Sequence, residues 1–301
     1  MHIREPEQIT ELYTAGGPVL RTEDGKEMPC RGNGEVVLIA GGGKVYTDIA
    51  ARFVRSERPI TEIIASEYDP QIVRNIIESG HLAATEFDMY IFGVSGYSRV
   101  CETQLVRKRH ASYIIKSGRC ELGGKRKYSV VIPHSIRGLV SKQTVLNVDT
   151  ETHTTTPVPL NVTTTMLNQM IAQWYADGME AGAPEEDLRY MKPQATEFQA
   201  IIAMNAHALL DWFRIRCCRN AQEIRDMAWK MLHICKETSP EVFMNAGPNC
   251  VYHGYCTEGK RQHPKCKAAG LYLTRDQALQ VLRDERRQRL GIGASEDTFT
   301  N

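Results

Sequence analysis

From Glu35 the chain reads EVVLIAGG, an apolar, β-branched run closed by glycines, which predicts a buried strand. KVYTDIAARFVRS then puts Val45, Ile49, Ala50 and Phe53 on one helical face. DPQIVRNIIESGH predicts a helix with Pro70 near its start and a stop at Gly80. TEFDMYIFGVS alternates and is aromatic, so it reads as a strand leading into VCETQLVRKR. From Lys125 to about Thr165 the chain is polar and Thr-rich, and predicts a hairpin or long loop with KYSVVIP and TVLNV as its strands.

Three helices are expected next, each with a core-facing stripe. The first groups Leu167, Met170, Ile171, Trp174 and Tyr175. The second runs from about Ala195 to Cys218 and buries Phe198, Ile201, Ile202, Leu209, Trp212 and Phe213. The third, AQEIRDMAWKMLHICKETSP, buries Ile224, Met227, Ala228, Met231 and Cys235 and ends at Pro240. GPNCVYHGYCTEGKRQHPKC reads as loop. After it, Thr274 with Gln277 forms a capping-box pattern ahead of LQVLRDERRQRLG, a last helix with Gly291 as its cap. Residues 1–34 are rich in Gly, Pro and charge, and read as an extension with at most one short helix. The pattern describes an α/β fold, a mixed sheet with helices. It divides into the extension over 1–34, a main domain over 35–245 and a Cys-containing tail and helix over 246–301.

Composition narrows the classes. With 42% hydrophobic and 24% charged residues in 301, the chain can bury a sizeable core. A formal charge of +1 argues against coating nucleic acid or anionic membrane, so an anion site has to be local. There is no apolar run of the roughly 18 to 20 residues that spans a bilayer, and MHIREPEQITELY carries charges where a signal peptide needs an apolar core. A cytoplasmic location is expected. Nine cysteines, with Cys217 and Cys218 adjacent, do not read as a paired disulfide framework, so reduced thiols are expected.

Several motifs are weak. GGGK at 41–44 lacks the glycine spacing of a phosphate loop and has Val45 where Ser or Thr would hold magnesium, so a strand-end turn is expected. Cys250, Cys256 and Cys266 with His253 and His263 are soft ligands, but their spacings are not those of the common zinc modules, and no metal is expected. His207 and Asp211 stand four apart, the spacing of a His–carboxylate pair or of a surface contact.

The stretch RKRHASYIIKSGR at 107–119 carries a stronger signal. Arg107, Arg109 and Arg119 offer planar forks that stay charged in a pocket, and Ser112 and Ser117 add neutral donors. Such a set fits a nucleotide monophosphate. Written R-x-R-x7-S-G-R, it resembles the signature of the flavin-dependent thymidylate synthases, R-H-R followed after seven residues by Ser, one residue and Arg. Further segments follow in the family's order. SGHLAATEF is similar to G-H-x-S/T-P-x-E-H, and Gln104 lies three before Arg107. PEEDLRYMKP is similar to E-D-A-R-x-x-L-P. Asn205, Leu209, Arg216 and AQEIR follow the N-x-R-x-L, Arg and A-Q-x-E-I-R series, and AGPNCVYHGYCTEGK resembles A-G-x-x-C with G-Y-C-P-E-G-K. The likeness runs from about Val36 to Lys260.

That resemblance implies a FAD-dependent enzyme that methylates dUMP at C5 to give dTMP, with methylenetetrahydrofolate as one-carbon donor and NADPH as reductant. It also implies a homotetramer with sites shared among subunits. By match, Gln104, Ser117, Gly118, Arg119, Arg189 and Arg216 would bind the nucleotide, with Ser117, Arg119 and Arg216 closest to the chemistry. His81, Glu86, Arg107, Lys108, Arg109, Asn205, His207 and Asp211 would line flavin or folate. No Pro-Cys-His nucleophile segment is present, which fits chemistry without an attacking cysteine.

The departures are specific. Lys108 stands for the family's His, Ile114 and Ile115 for its Asn-Glu pair, Ala83 and Ala84 for Ser/Thr-Pro, His207 for an Arg and Asp211 for an Asn. Losing the polar pair should cost about 1–3 kcal/mol for each buried partner left unsatisfied. Two alternatives therefore stay open: a divergent relative that modifies C5 of another pyrimidine nucleotide such as UMP, and a nucleotide-binding protein that has lost flavin catalysis.

Overall fold

The computed structural model describes residues 9–13, 20–21, 27–28, 34–117, 128–149, 151, 154–218, 222–257 and 273–290. In chain order these form strands β1 (Ile9–Tyr13), β2 (Leu20–Arg21), β3 (Glu27–Met28) and β4 (Glu35–Gly41), then helices α1 (Lys44–Arg55), α2 (Ile60–Ile64) and α3 (Pro70–Ser79). A 3-10 turn, Leu82–Phe87, leads to β5 (Met89–Ser98), α4 (Arg99–Leu105), β6 (Ser112–Ile115), β7 (Tyr128–Ile132), β8 (Val140–Asp149) and β9 (Thr154–Thr163). Next come α5 (Thr164–Glu180), α6 (Glu185–Leu188), the 3-10 turn Arg189–Met191, β10 (Glu197–Asn205), α7 (Ala206–Arg216) and α8 (Gln222–Thr238). The chain continues through α9 (Pro240–Phe243), α10 (Asn249–His253), β11 (Tyr255–Cys256), β12 (Leu273–Thr274) and α11 (Arg275–Leu290).

The central sheet is antiparallel, in the order β4-β5-β10-β6. Because strand side chains alternate between faces, one cross-strand row, Leu38–Phe92–Ile202–Tyr113, turns to the core. The next row, Val37–Gly93–Ile201–Ile114, turns away from it. The core side is closed by α7 and α8, where Leu209, Phe213, Ile224, Met227 and Met231 are fully buried. Phe243 stacks edge-on against both Tyr90 and Phe213.

Buried polar groups are tied across this core. The Tyr97 hydroxyl donates to Asp226 at 3.0 Å, and Lys230 donates to Asp226 and to the Gly34 carbonyl, each at 2.6 Å. The GGGK segment is a strand-end turn, as its spacing predicts. Gly42 has φ of 88°, and a Cβ there would come within 2.2 Å of the Thr238 methyl, so glycine is required on both conformational and steric grounds. The stop at Gly80 is left-handed at φ 75°, and Asp69 caps the other end of α3. The Thr274–Gln277 box forms in both directions, at 2.8 and 3.2 Å. Among the described residues no helix is long and apolar enough to cross a membrane.

Several expectations are corrected. Residues 197–205 are strand β10, not the first half of a helix. Phe198, Ala200, Ile202 and Met204 are buried at every second position, and the helix starts only at the Asn205 cap. β4 is an edge strand with Val37 and Ile39 exposed, so its apolar run does not mean burial on both faces. In α5, Leu167, Met170 and Trp174 face outward, while Asn168 and Ala172 are buried. In α1 the inner side is formed by Thr47, Asp48 and Ala51, because Arg52 meets Asp48 at 3.0 Å and Thr47 meets Asp88. The Phe53 side is left 60% exposed. TVLNV pairs with residues 155–159 of β9, whereas KYSVVIP pairs with β1 in parallel. The described part of residues 1–34 contains short strands and no helix. Gly291 lies outside the described residues.

Asp88 is fully buried. One carboxylate oxygen accepts from the Thr47 hydroxyl, the other has no partner among the described residues, and burial raises its pKa from 3.8 to about 6. The unfolded chain has released this proton by about pH 5 while the folded chain holds it, so the unfolded state binds fewer protons and stability falls as pH rises from about 4 to 6. Asp88→Asn keeps the acceptor for Thr47 and removes the buried charge. Above pH 6 it is expected to be more stable than the parent by about 1–3 kcal/mol, with the difference vanishing near pH 4. Urea unfolding at both pH values measures this, and an unchanged difference between them would sink the assignment.

Candidate functional site

Helix α4 carries Gln104 and delivers the basic turn. Its cap, Ser98, accepts from the Cys101 amide at 3.3 Å, and Ser98 is itself fixed by Glu223 of α8, which accepts from its amide at 2.7 Å and from its hydroxyl. Beyond the helix, the Val106 amide donates to Glu102 O at 3.0 Å and the Lys108 amide to Leu105 O at 3.2 Å. Tyr113 of β6 closes this turn, with its hydroxyl aimed at the carbonyls of Leu105 and Lys108 at 3.0 and 2.9 Å. Burial pushes the Tyr113 phenol up to about 12, so it remains a donor at neutral pH.

Helix α7 supplies the facing wall. Asn205 caps it by accepting from the Ala208 amide at 2.8 Å, and the Ala206 amide donates to Asp88 O at 2.8 Å. At the other end the half-buried Arg216 donates to the Gln104 carbonyl at 3.0 Å. Burial, and then the neighbouring Arg107 cation, hold the Arg216 guanidinium below its ordinary range. A guanidinium stays charged even so, so the fold holds two like charges near each other at the junction of α4 and α7. An anion relieves that repulsion, and a bidentate oxyanion such as phosphate suits the donors.

His207 and Asp211 do not bond each other. Each reaches from α7 to a different segment: His207 Nδ1 lies 3.1 Å from Glu86 Oε1, and Asp211 pairs with Lys108. The 3-10 turn bearing Glu86 also edges a cavity of about 1130 Å³ between α1 and α3, whose walls include Tyr46, Ile49, Phe53, His81, Ala83 and Phe87. Aromatics at 46 and 53, seven apart, were the available sequence signal for that wall. Nothing in the sequence marks Tyr113 or Glu223 as anchors of the turn, because their partners are backbone groups and a cap.

The remaining predicted residues are dispersed. His81 and Arg109 are exposed, and Ser117 is exposed just past β6. Arg189 is exposed on the 3-10 turn that packs against α5. Gly118 and Arg119 lie outside the described residues, as do His263 and Cys266. Ile115 packs against the core, and Ile114, 71% exposed, sits in the outward apolar row. Among the described residues there is no group of three or more His, Cys, Asp or Glu side chains arranged to hold a metal.

The family model described as "Thymidylate synthase complementing protein" matches residues 42–241. A flavin-dependent thymidylate synthase from Sulfolobus acidocaldarius is 32% identical over 225 residues, covering 73% of this chain and 78% of that one. The chain belongs to the flavin-dependent thymidylate synthase family. Another member, from Geobacter sulfurreducens, is 34% identical over 185 residues, covering 61% of this chain and 72% of that one. In fold, the chain resembles the UMP/dUMP methylase PolB from Streptomyces cacaoi bound with 5-Br dUMP, with a TM-score of 0.54 and 18% identity, covering 70% of this chain and 94% of that one. The family match spans α1 through α8 and so includes both walls of the α4–α7 junction.

Tyr113→Phe removes the donor that closes the basic turn and leaves two part-buried carbonyls weaker. It is expected to cost about 1 kcal/mol in urea unfolding. A change below about 0.3 kcal/mol would mean that the hydroxyl does not hold the turn.

Proposed function

We propose that this member of the family is a flavin-dependent enzyme that methylates dUMP at C5 to give dTMP, using methylenetetrahydrofolate and NADPH. The observation that carries this reading is the half-buried Arg216, whose guanidinium is held on the Gln104 carbonyl at the α4–α7 junction, one turn before the basic segment that opens with Arg107. Arg216, already fixed and partly desolvated, would stabilise negative charge developing on the pyrimidine ring, which is the form of electrostatic catalysis that needs no reorganisation. Ser117, Gly118, Arg119 and Arg189 would complete the nucleotide grip.

The residues present fit a flavin. The cavity beside His81 has apolar and aromatic walls and the size of a cofactor pocket. Arg107 and Arg109 are exposed cations suited to a diphosphate. His81 lines that cavity, Glu86 on the 3-10 turn at its edge meets His207, and Asn205 caps α7 beside them. A bound flavin would supply the two-electron redox chemistry that converts a one-carbon unit into a methyl group. The protein's own part is to bind, orient and keep water from the ring. Burial pushes the thiols of Cys101 and Cys217 well above their ordinary range, which agrees with a reaction that uses no cysteine nucleophile.

A homotetramer in the cytoplasm completes the proposal. The outward row Val37–Gly93–Ile201–Ile114 is an apolar stripe on the open sheet face, and Trp174 of α5 is 48% exposed, so subunit contacts would cover surface that a lone chain leaves in water.

A purified preparation is expected to be yellow or to take up added FAD, and to release tritium from C5-labelled dUMP faster than from C5-labelled UMP when methylenetetrahydrofolate and NADPH are present. Faster release from UMP would reassign the substrate, and a colourless protein that binds dUMP yet refuses FAD would make it a binding protein. Arg216→Gln is expected to lower kcat/KM for dUMP by about 10²-fold, the scale of one lost oxyanion donor, with the thermal midpoint little changed. Sedimentation at micromolar concentration checks the tetramer.

A further inference from the structure

We infer that Lys108 and Asp211 are a positioning pair, not ligand contacts: Asp211 straps the basic turn to α7 and so fixes where Arg107 stands. The inference rests on the reading that the nucleotide and the flavin bind at the α4–α7 junction, with Arg216 at the pyrimidine ring and Arg107 beside it. Lys108 is held at three points. Its amide donates to Leu105 O at 3.2 Å, its carbonyl accepts from Tyr113 at 2.9 Å, and its ammonium meets the Asp211 carboxylate. The Lys108 side chain is 14% exposed and that of Asp211 51%, so the ammonium end is largely enclosed while its partner reaches in from the rim.

Charge balance supports the assignment. Arg107 and Arg216 already repel, and a free Lys108 between Arg107 and Arg109 would add a third cation to a turn that has to stay closed. Pairing with Asp211 cancels that cation and leaves Arg107, Arg109 and Arg216 as the charge an anion meets. The sequence carries the same signature. Lys108 replaces a His and Asp211 replaces an Asn, two departures from the family pattern that stand 103 residues apart and meet in space. Glu86 and His207 make a parallel bridge one helical turn earlier on α7, so this face of the helix is stitched to a segment on either side.

The test uses the full-length protein, with Lys108→Met, Asp211→Asn, the double variant and the exchanged pair Lys108→Asp/Asp211→Lys. Hydrogen exchange of the Val106 and Lys108 amides, measured without nucleotide, reports the closure of the turn. Each single variant is expected to speed exchange by about two- to fivefold, the double no more than either single, and the exchanged pair to restore the parent rate. Binding of dUMP by calorimetry is expected to weaken by a similar factor in each single variant and to recover with the exchange. A pair that only stabilises the fold would lower the thermal midpoint without moving the dUMP affinity, and that outcome overturns the positioning role. So does parent-like exchange in both single variants, or tighter dUMP binding by Asp211→Asn, which would make Asp211 a charge opposing the ligand. If the parent takes up neither dUMP nor UMP, the nucleotide reading falls, while the exchange rates still decide whether the strap exists.

Discussion

At Asn205 the central strand β10 stops and α7 begins, and most of the candidate chemistry depends on that junction. The strand lies between β5 and β6, and its buried residues Phe198, Ala200, Ile202 and Met204 fix its depth in the core. The Asn205 side chain and the Asp88 carbonyl then take up the first amides of the helix. With Trp212 and Phe213 packed inward, α7 cannot roll about its axis, so His207 and Asp211 emerge on one side and Arg216 at the far end. A helix end leaves amides that have to be satisfied. Here a capping amide and a strand-end carbonyl do so, and the entry angle of the helix is thereby set by the sheet.

The second wall is built by the same logic from the opposite direction. Glu223 of α8 grips the cap of α4, and Tyr113 of β6 grips the turn after it. These anchors are uncharged groups or carboxylates aimed at backbone, so they hold Arg107 near Arg216 without neutralising either. Electrostatic repulsion between the arginines is thus offset by hydrogen bonds that no ligand has to break. That is the condition for a preorganised anion site, in which the cost of gathering the charges is met during folding.

Features governed by neighbouring residues were legible in the sequence: the left-handed stop at Gly80, the paired bonds of Thr274 and Gln277, the glycine turn after β4 and the buried stripe of α8. Strand β10 was not, because Phe198, Ile201 and Ile202 fit a helical spacing as well as an alternating one, and a fully central strand is apolar on both faces. The faces of α1 and α5 were misread for a related reason. Apolar stripes mark the side of a helix that leaves water, but not whether that side meets the chain's own core, a cavity or another subunit. At the site, the arginines and the family motifs were legible from residue type and order. Their anchors were not, since Gln104 acts through its carbonyl, and Tyr113 and Glu223 act on main-chain groups and a cap that have no residue signature.

The departures from the family pattern gain a physical order once they are placed. Ile114 and Ile115 looked like the loss of two polar contacts, with an unsatisfied partner for each. In the sheet they are adjacent residues on opposite faces, one adding to an apolar row with Val37 and Ile201, the other packing beside Ala200 against the core. Lys108 and Asp211 meet as an ion pair, and His207 meets Glu86. In each case the side chain is accommodated by the chain itself, while Arg216 stays bonded to the Gln104 carbonyl. The residues that depart from the family pattern thus sit in ion pairs, in the sheet and in the cavity wall, around a junction where Arg216 is fixed on the Gln104 carbonyl.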